Sequence, residues 1–292
     1  MNSEKYFRWF LIISALALLV AFISPGAGED ILLLLLIGFG TAQYFFKEKT
    51  ILLFLGLRPL VDYWREVPLV EIYKTKINLN SALAIMFLLW LIWALYQHRH
   101  QILTTPLIRP LFIFSALILA SVLYSFYPGT SLAESFKFLD ISLLFVAIYI
   151  FVKNGLLKEL EIIYTAYLSA IIPIAVGLYQ LLGGFGLTTF DIHGRVYGTF
   201  AHPNVFAFYL LFLLLIHWLY STLSPLIFWN KHPALKIFIY LALSTLLIFT
   251  YTRAAWVGLG AFLLVIGILK YRRALIITFV SVGLLFSIFY PL

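Results

Sequence analysis

Ile237-Phe-Ile-Tyr-Leu-Ala-Leu-Ser-Thr-Leu-Leu-Ile-Phe-Thr-Tyr-Thr-Arg253-Ala-Ala-Trp-Val-Gly-Leu-Gly-Ala-Phe-Leu-Leu-Val-Ile-Gly-Ile-Leu269 carries a single charge in 33 residues, positions 237 to 269. As one helix it would extend about 50 Å, against a bilayer core of about 30 Å. The basic residues flanking it would then face opposite sides of the membrane. Two short helices joined at Thr252-Arg253-Ala254 fit better. Each is about 24 Å long at the usual helical rise, which leaves the turn below the outer surface but within reach of the headgroup layer. An arginine at that depth needs a reason. It snorkels to the headgroups, pairs with an acid such as Asp62, Asp140 or Asp191, or binds an anion.

The rest of the chain has the same character. Of its 292 residues 63% are hydrophobic, 18% aromatic and only 11% charged, more apolar surface than a soluble fold can bury. The expected fold class is all-α, a polytopic integral membrane protein with a single transmembrane domain over residues 1–292. The formal charge of +8 would suggest nucleic acid in a soluble protein. Here the basic residues fall in short clusters between apolar runs, which reads as topology rather than nucleic-acid binding. Zero cysteines exclude disulfides, thiolate metal sites and cysteine nucleophiles. The N-terminal segment, Lys5 and Arg8 followed by apolar Trp9 to Ile23 and Ser24-Pro-Gly-Ala-Gly28, has the outline of a secretory signal peptide but reads as an uncleaved first span.

Apolar runs at 7–23, 31–46, 50–61, 79–96, 107–125, 138–152, 160–182, 204–222, 237–252, 254–269 and 274–290 predict about eleven transmembrane helices. Counting the short run 50–61 makes the basic clusters alternate. Lys5 and Arg8, Lys47 and Lys49, Arg99 and Arg109, Lys153 and Lys158, Lys231 and Lys236, and Lys270, Arg272 and Arg273 then share one side, 13 of the 20 basic residues. That side is cytoplasmic by the positive-inside rule, and so is the N-terminus. Arg195 and Arg253 fall on the outer side.

The most polar outer loop is 183–203, where Gly183, Gly184, Gly186, Gly194 and Gly198 permit turns closed to other residues. Pro203 suits the first turn of a helix starting near Asn204, and that helix points its unpaired amides outward. Arg195 and this helix start could hold phosphate oxygens together. The competing reading of Arg195 is contact with lipid phosphates. His193 and His202 could act as acid, base or donor, or simply shape the loop. Arg58 and Asp62, four apart, are placed to pair across a helical turn. Pro173 with Gly177 should kink the span that holds them. Tyr197 and Trp256 sit at interfacial depth, as belt aromatics or as platforms for sugar rings.

Two segments resemble a known family. Arg195-Val-Tyr-Gly-Thr-Phe-Ala-His-Pro-Asn-Val-Phe-Ala207 is similar to the pattern R-x-x-G-x-F-x-x-P-N-x-x-A, and Thr250-Tyr-Thr-Arg-Ala-Ala-Trp-Val-Gly258 to T-x-S-R-x-x-x-x-G, with Thr252 in place of Ser. Both patterns mark the O-antigen ligase and O-antigen polymerase superfamily, and residues 191–292 would begin its ligase-related region. The resemblance implies a multi-pass glycosyltransferase of the bacterial cytoplasmic (inner) membrane with its active face outside. It would move a glycan from an undecaprenyl pyrophosphate carrier to an acceptor hydroxyl, on the lipid A core for a ligase, on a growing glycan for a polymerase or on a protein Ser or Thr for some oligosaccharyltransferases.

Under that resemblance Arg195 and Arg253 bind the pyrophosphate and stabilise charge on the leaving group, and His202, Asn204, Tyr197 and Trp256 line the substrate site. The partners are the lipid-linked glycan, the acceptor and membrane lipids, with no cofactor and no metal. Such proteins carry a general-base histidine in an outer loop beyond the span corresponding to 274–290, where this sequence stops. His193 or His202 is the available acid or base in its place, and an incomplete chain is the simplest expectation. A transporter of anionic solutes and a non-catalytic subunit of polysaccharide export are the alternatives.

Overall fold

A computed structural model describes residues 13–14, 28–64, 68–72, 75–189, 192–223 and 232–269. Apart from residues 13–14, the expected spans at 7–23 and 274–290, the clusters at Lys5 and Arg8 and at Lys270, Arg272 and Arg273, and the acid Asp191 lie outside these residues. Helices dominate what is described: α1 (Gly28–Phe46), α2 (Thr50–Val61), α3 (Leu79–Gln97), the short α4 (Arg99–Ile102), α5 (Ile108–Ser121), α6 (Pro128–Lys153), α7 (Glu159–Gly183), α8 (Pro203–Leu223), α9 (Pro233–Phe249) and α10 (Arg253–Leu269). Among the described residues, four stretches are long and apolar enough to cross a membrane: Asn80–Gln97, Pro128–Lys153, Glu159–Gly183 and Pro203–Ser221. Shorter apolar helices cover Ile108–Tyr124, Pro233–Phe249 and Arg253–Val265. Helices satisfy their own backbone groups, which is what a lipid environment demands. The chain is a mostly helical membrane protein.

Two antiparallel hairpins add to the helices, a feature the all-α reading did not foresee. In β1 (Pro68–Ile72) and β2 (Thr75–Asn78), Pro68 pairs with Asn78 and Ile72 with Thr75. In β3 (Leu187–Thr189) and β4 (Ile192–Arg195), Leu187 pairs with Arg195 and Thr189 with Ile192. The chain divides into two compact units, Met1–Ala170 and Ile171–Leu292, although the sequence shows no linker. The boundary falls inside α7, just before Pro173, which the helix accommodates without ending.

In the first unit α3 packs on α1, α2 and α6, and α5 packs on α6. The contact is aromatic. Phe54 stacks on Phe87 with centroids 3.8 Å apart, and Phe39 leans on both. Phe87, Leu91, Ile150 and Phe151 are fully buried. At the end of α2 the expected pair forms: Arg58 Nη1 reaches Asp62 Oδ1 at 3.2 Å. Asn80, which sequence spacing does not connect to them, completes a closed network. It accepts from Arg58 at 3.2 Å and donates to Asp62 at 2.9 Å. Asp62 is therefore committed to this network rather than awaiting a partner.

In the second unit α8 packs against α9 and α10 around Phe206, Leu210, Leu243, Leu246 and Leu247. The run 237–269 breaks into two helices as its length requires, but slightly earlier than expected. The turn occupies Thr250–Thr252, with Tyr251 in the left-handed region at φ 52°. Arg253 is thus the first residue of α10 rather than the middle of the turn. His217, which has no evident partner in the sequence, is buried on α8 between the Lys236 carbonyl, 3.3 Å from its Nε2, and the Tyr240 ring.

Candidate functional site

The second unit brings the two signature segments together at one end of its helices. The β3–β4 hairpin delivers Arg195 there, and the hairpin depends on Gly186. A Cβ at Gly186 would lie 2.1 Å from the Gly194 carbonyl carbon, closer than any side chain tolerates. Immediately after Arg195, the Val196 N–H donates to Phe249 O at 3.0 Å. The last carbonyls of α9 lack partners within their own helix. The strand end supplies one.

Arg195 supplies the next. It is 6% exposed, and its Nε donates to Thr250 O at 2.9 Å. Its Nη2 donates to Asn204 Oδ1 at 3.0 Å and to Thr252 Oγ1 at 3.4 Å. The Thr252 hydroxyl in turn donates a hydrogen bond to Asn204 Oδ1 at 3.1 Å. One guanidinium therefore joins the end of α9, the first turn of α8 and the turn that opens α10, and all three acceptors are neutral oxygens. A cation at a helix C-terminus also gains from the dipole, typically about 0.3–1 kcal/mol. Burial pushes the Arg195 pKa below the ordinary guanidinium value, and the group remains charged.

Arg253 differs in surroundings. It follows Thr252 directly, is exposed, and makes no hydrogen bond or ion pair among the described residues. His202 starts α8: its carbonyl accepts from Val205 and Phe206 N–H, and its Nδ1 accepts the Asn204 N–H at 3.1 Å. An accepting Nδ1 places the proton of the neutral ring on Nε2. His202 therefore spends its basic nitrogen on the cap. His193 falls within β4; the acid or base role expected of its imidazole lies outside the described side chains.

Tyr197 is half-buried and its backbone is fixed by a residue that sequence reasoning missed, Gln180 of α7. Gln180 Oε1 accepts from Tyr197 N–H at 3.0 Å and from Gly198 N–H at 2.9 Å, while its Nε2 donates to Gly198 O at 3.0 Å. A glutamine in an otherwise apolar stretch of helix was the available signal. Gly198 needs this clamp and no side chain of its own. Its φ is +59°, and a Cβ would meet the Pro173 carbonyl at 2.9 Å and the Phe206 ring at 3.0 Å. Trp256, also half-buried, donates from Nε1 to Leu247 O at 3.4 Å, which ties it to α9.

The structure thus joins Arg195, Asn204, Thr250 and Thr252 by direct hydrogen bonds. It sets His202 beside Asn204 and Arg253 beside Thr252. The arrangement sets a buried guanidinium, Arg195, and an exposed one, Arg253, at the same turn, which can present fixed positive charge to an anion. Comparisons with protein families, with characterised proteins and with solved structures returned no match.

Proposed function

We propose that the chain is a membrane glycosyltransferase of the O-antigen ligase type, which moves a glycan from an undecaprenyl pyrophosphate carrier to an acceptor hydroxyl. One observation carries the reading. The two segments that resemble the family's signatures, 195–207 and 250–258, lie far apart in sequence yet share one hydrogen-bond network through Arg195, Asn204 and Thr252.

In this reading the chain has about eleven spans with the N-terminus cytoplasmic. Its site faces outward from the bacterial inner membrane, where lipid-linked glycans are consumed. The acceptor oxygen attacks the anomeric carbon, the bond from that carbon to the pyrophosphate oxygen breaks, and the acceptor proton passes to a general base. Undecaprenyl pyrophosphate leaves with the bonding electrons. Arg195 and Arg253 make the site positive where that charge develops, a task suited to the guanidinium group. His202, with Nδ1 held by the helix cap, is not the base. A ligase and a polymerase share these steps and differ in the acceptor, lipid A core or growing glycan.

The test is transfer of labelled glycan in membranes that contain the chain. Arg195→Ala and Arg253→Ala are each expected to abolish transfer while the protein remains in the membrane fraction. Full transfer in both variants would rule the reading out.

A further inference from the structure

Resting on that reading, we infer that the two arginines divide the work: Arg253 is the side chain that meets the pyrophosphate, and Arg195 is a positioning residue that holds Arg253 in place. The family patterns treat the two alike, and their surroundings do not. Arg195 is buried and spans three elements, through the Thr250 carbonyl, Asn204 Oδ1 and Thr252 Oγ1. Thr250 is 0% and Thr252 4% exposed, so two of these acceptors are themselves enclosed. To grip a phosphate with the same N–H groups, Arg195 would have to release buried oxygens that have no water to replace it.

Arg253 has no such commitments among the described residues. It is exposed, and the backbone just before it belongs to Thr252, the residue that the Arg195 network fixes. Thr252 is pinned from both sides, by Arg195 and by Asn204, and its N–H leans on Thr250 Oγ1 at 3.3 Å. The position of the Arg253 backbone is therefore set by the Arg195 fork. The Arg195 charge lies behind that turn and acts on a bound anion through space rather than by contact.

A lysine separates the roles, because an ammonium keeps the charge but loses the planar fork. The full chain in lipid nanodiscs is titrated with farnesyl pyrophosphate, and binding, its salt dependence and the thermal unfolding midpoint are followed. Arg253→Gln should weaken binding about tenfold and flatten its salt dependence with the midpoint unmoved, and Arg253→Lys should recover part of the loss. Arg195→Lys should lower the midpoint and weaken binding as Arg195→Gln does, with the salt dependence of wild type retained. Thr252→Val keeps both charges and, being buried, cannot touch the ligand; it too should weaken binding.

Near wild-type affinity in Arg195→Lys, or tighter binding in Thr252→Val as the fork is freed, would overturn the division of roles and leave the transferase reading standing. Failure of the wild-type chain to bind farnesyl pyrophosphate would remove that reading itself, and this inference with it.

Discussion

Gln180→Leu is the sharpest test of how the site is built. The leucine roughly preserves volume and suits the apolar face of α7, but it deletes three hydrogen bonds at once: those to Tyr197 N–H, Gly198 N–H and Gly198 O. Two donors and an acceptor are left without partners in a buried loop, each at about 1–3 kcal/mol. Tyr197 is half-buried, so water repairs part of its loss. Removing the amide from a site where it is 6% exposed returns about 1–2 kcal/mol of desolvation. The net expectation is a loss of about 2–4 kcal/mol. It would appear as a fall in the thermal midpoint of the purified protein of roughly 5–15 °C, taking the usual few degrees per kcal/mol for a chain of this size. Gln180→Glu should recover part of it, because the carboxylate still accepts both N–H groups but faces the Gly198 carbonyl without a donor. A midpoint for Gln180→Leu within a degree of wild type would refute the clamp.

The remaining predictions concern other parts of the framework. Gly198→Ala forces a side chain into the left-handed region and against the Pro173 carbonyl, and should cost at least about 1–2 kcal/mol by the same midpoint measurement. His202→Ala removes the acceptor that caps α8 and should destabilise by about 0.5–2 kcal/mol, while His202→Asn, itself a good cap, should recover most of it. Asp62→Ala removes the acceptor that Arg58 and Asn80 share and leaves only the bond between those two. Since Arg58 is 42% exposed and screened, the loss should come mainly from the buried Asn80 contact, about 1–3 kcal/mol in chemical unfolding in mixed micelles. Gly186→Ala should open the β3–β4 hairpin, seen as new protease cleavage between residues 184 and 198.

Much of the helical layout is legible in the sequence because lipid makes one demand of every segment. The run 50–61 becomes α2 residue for residue, and 160–182 differs from α7 by a single residue at each end. Length, together with the flanking basic clusters, split 237–269. Patterns of hydropathy fail where polar chemistry takes over. The run 138–152 understates α6, which begins at Pro128. Ser131, Glu134 and Lys137 hide its first turns, although a proline at the first helical position was a legible start signal. The break near Thr250 is one residue pair early because Tyr251 adopts a left-handed conformation that only glycine would have advertised. Arg58 and Asp62 were visible as neighbours on one helix. Asn80 was not, because its contact is tertiary and leaves no spacing to read.

The site shows the same division. Arg195, Asn204 and Arg253 stand out as polar residues next to apolar runs. Which arginine is enclosed and which is presented does not follow. That depends on the strand delivering Arg195 to the end of α9, and on Thr252, an ordinary threonine until its hydroxyl is seen relaying between Arg195 and Asn204.

The most direct test of the glycan-transfer account is product analysis. The full chain in nanodiscs is supplied with undecaprenyl pyrophosphate bearing a labelled glycan, together with membrane-extracted acceptor, and the freed carrier is measured alongside the labelled acceptor. The account predicts undecaprenyl pyrophosphate and glycosylated acceptor in equal amounts, both lost in Arg253→Gln. An intact carrier throughout, with the folded wild-type chain present, would contradict it.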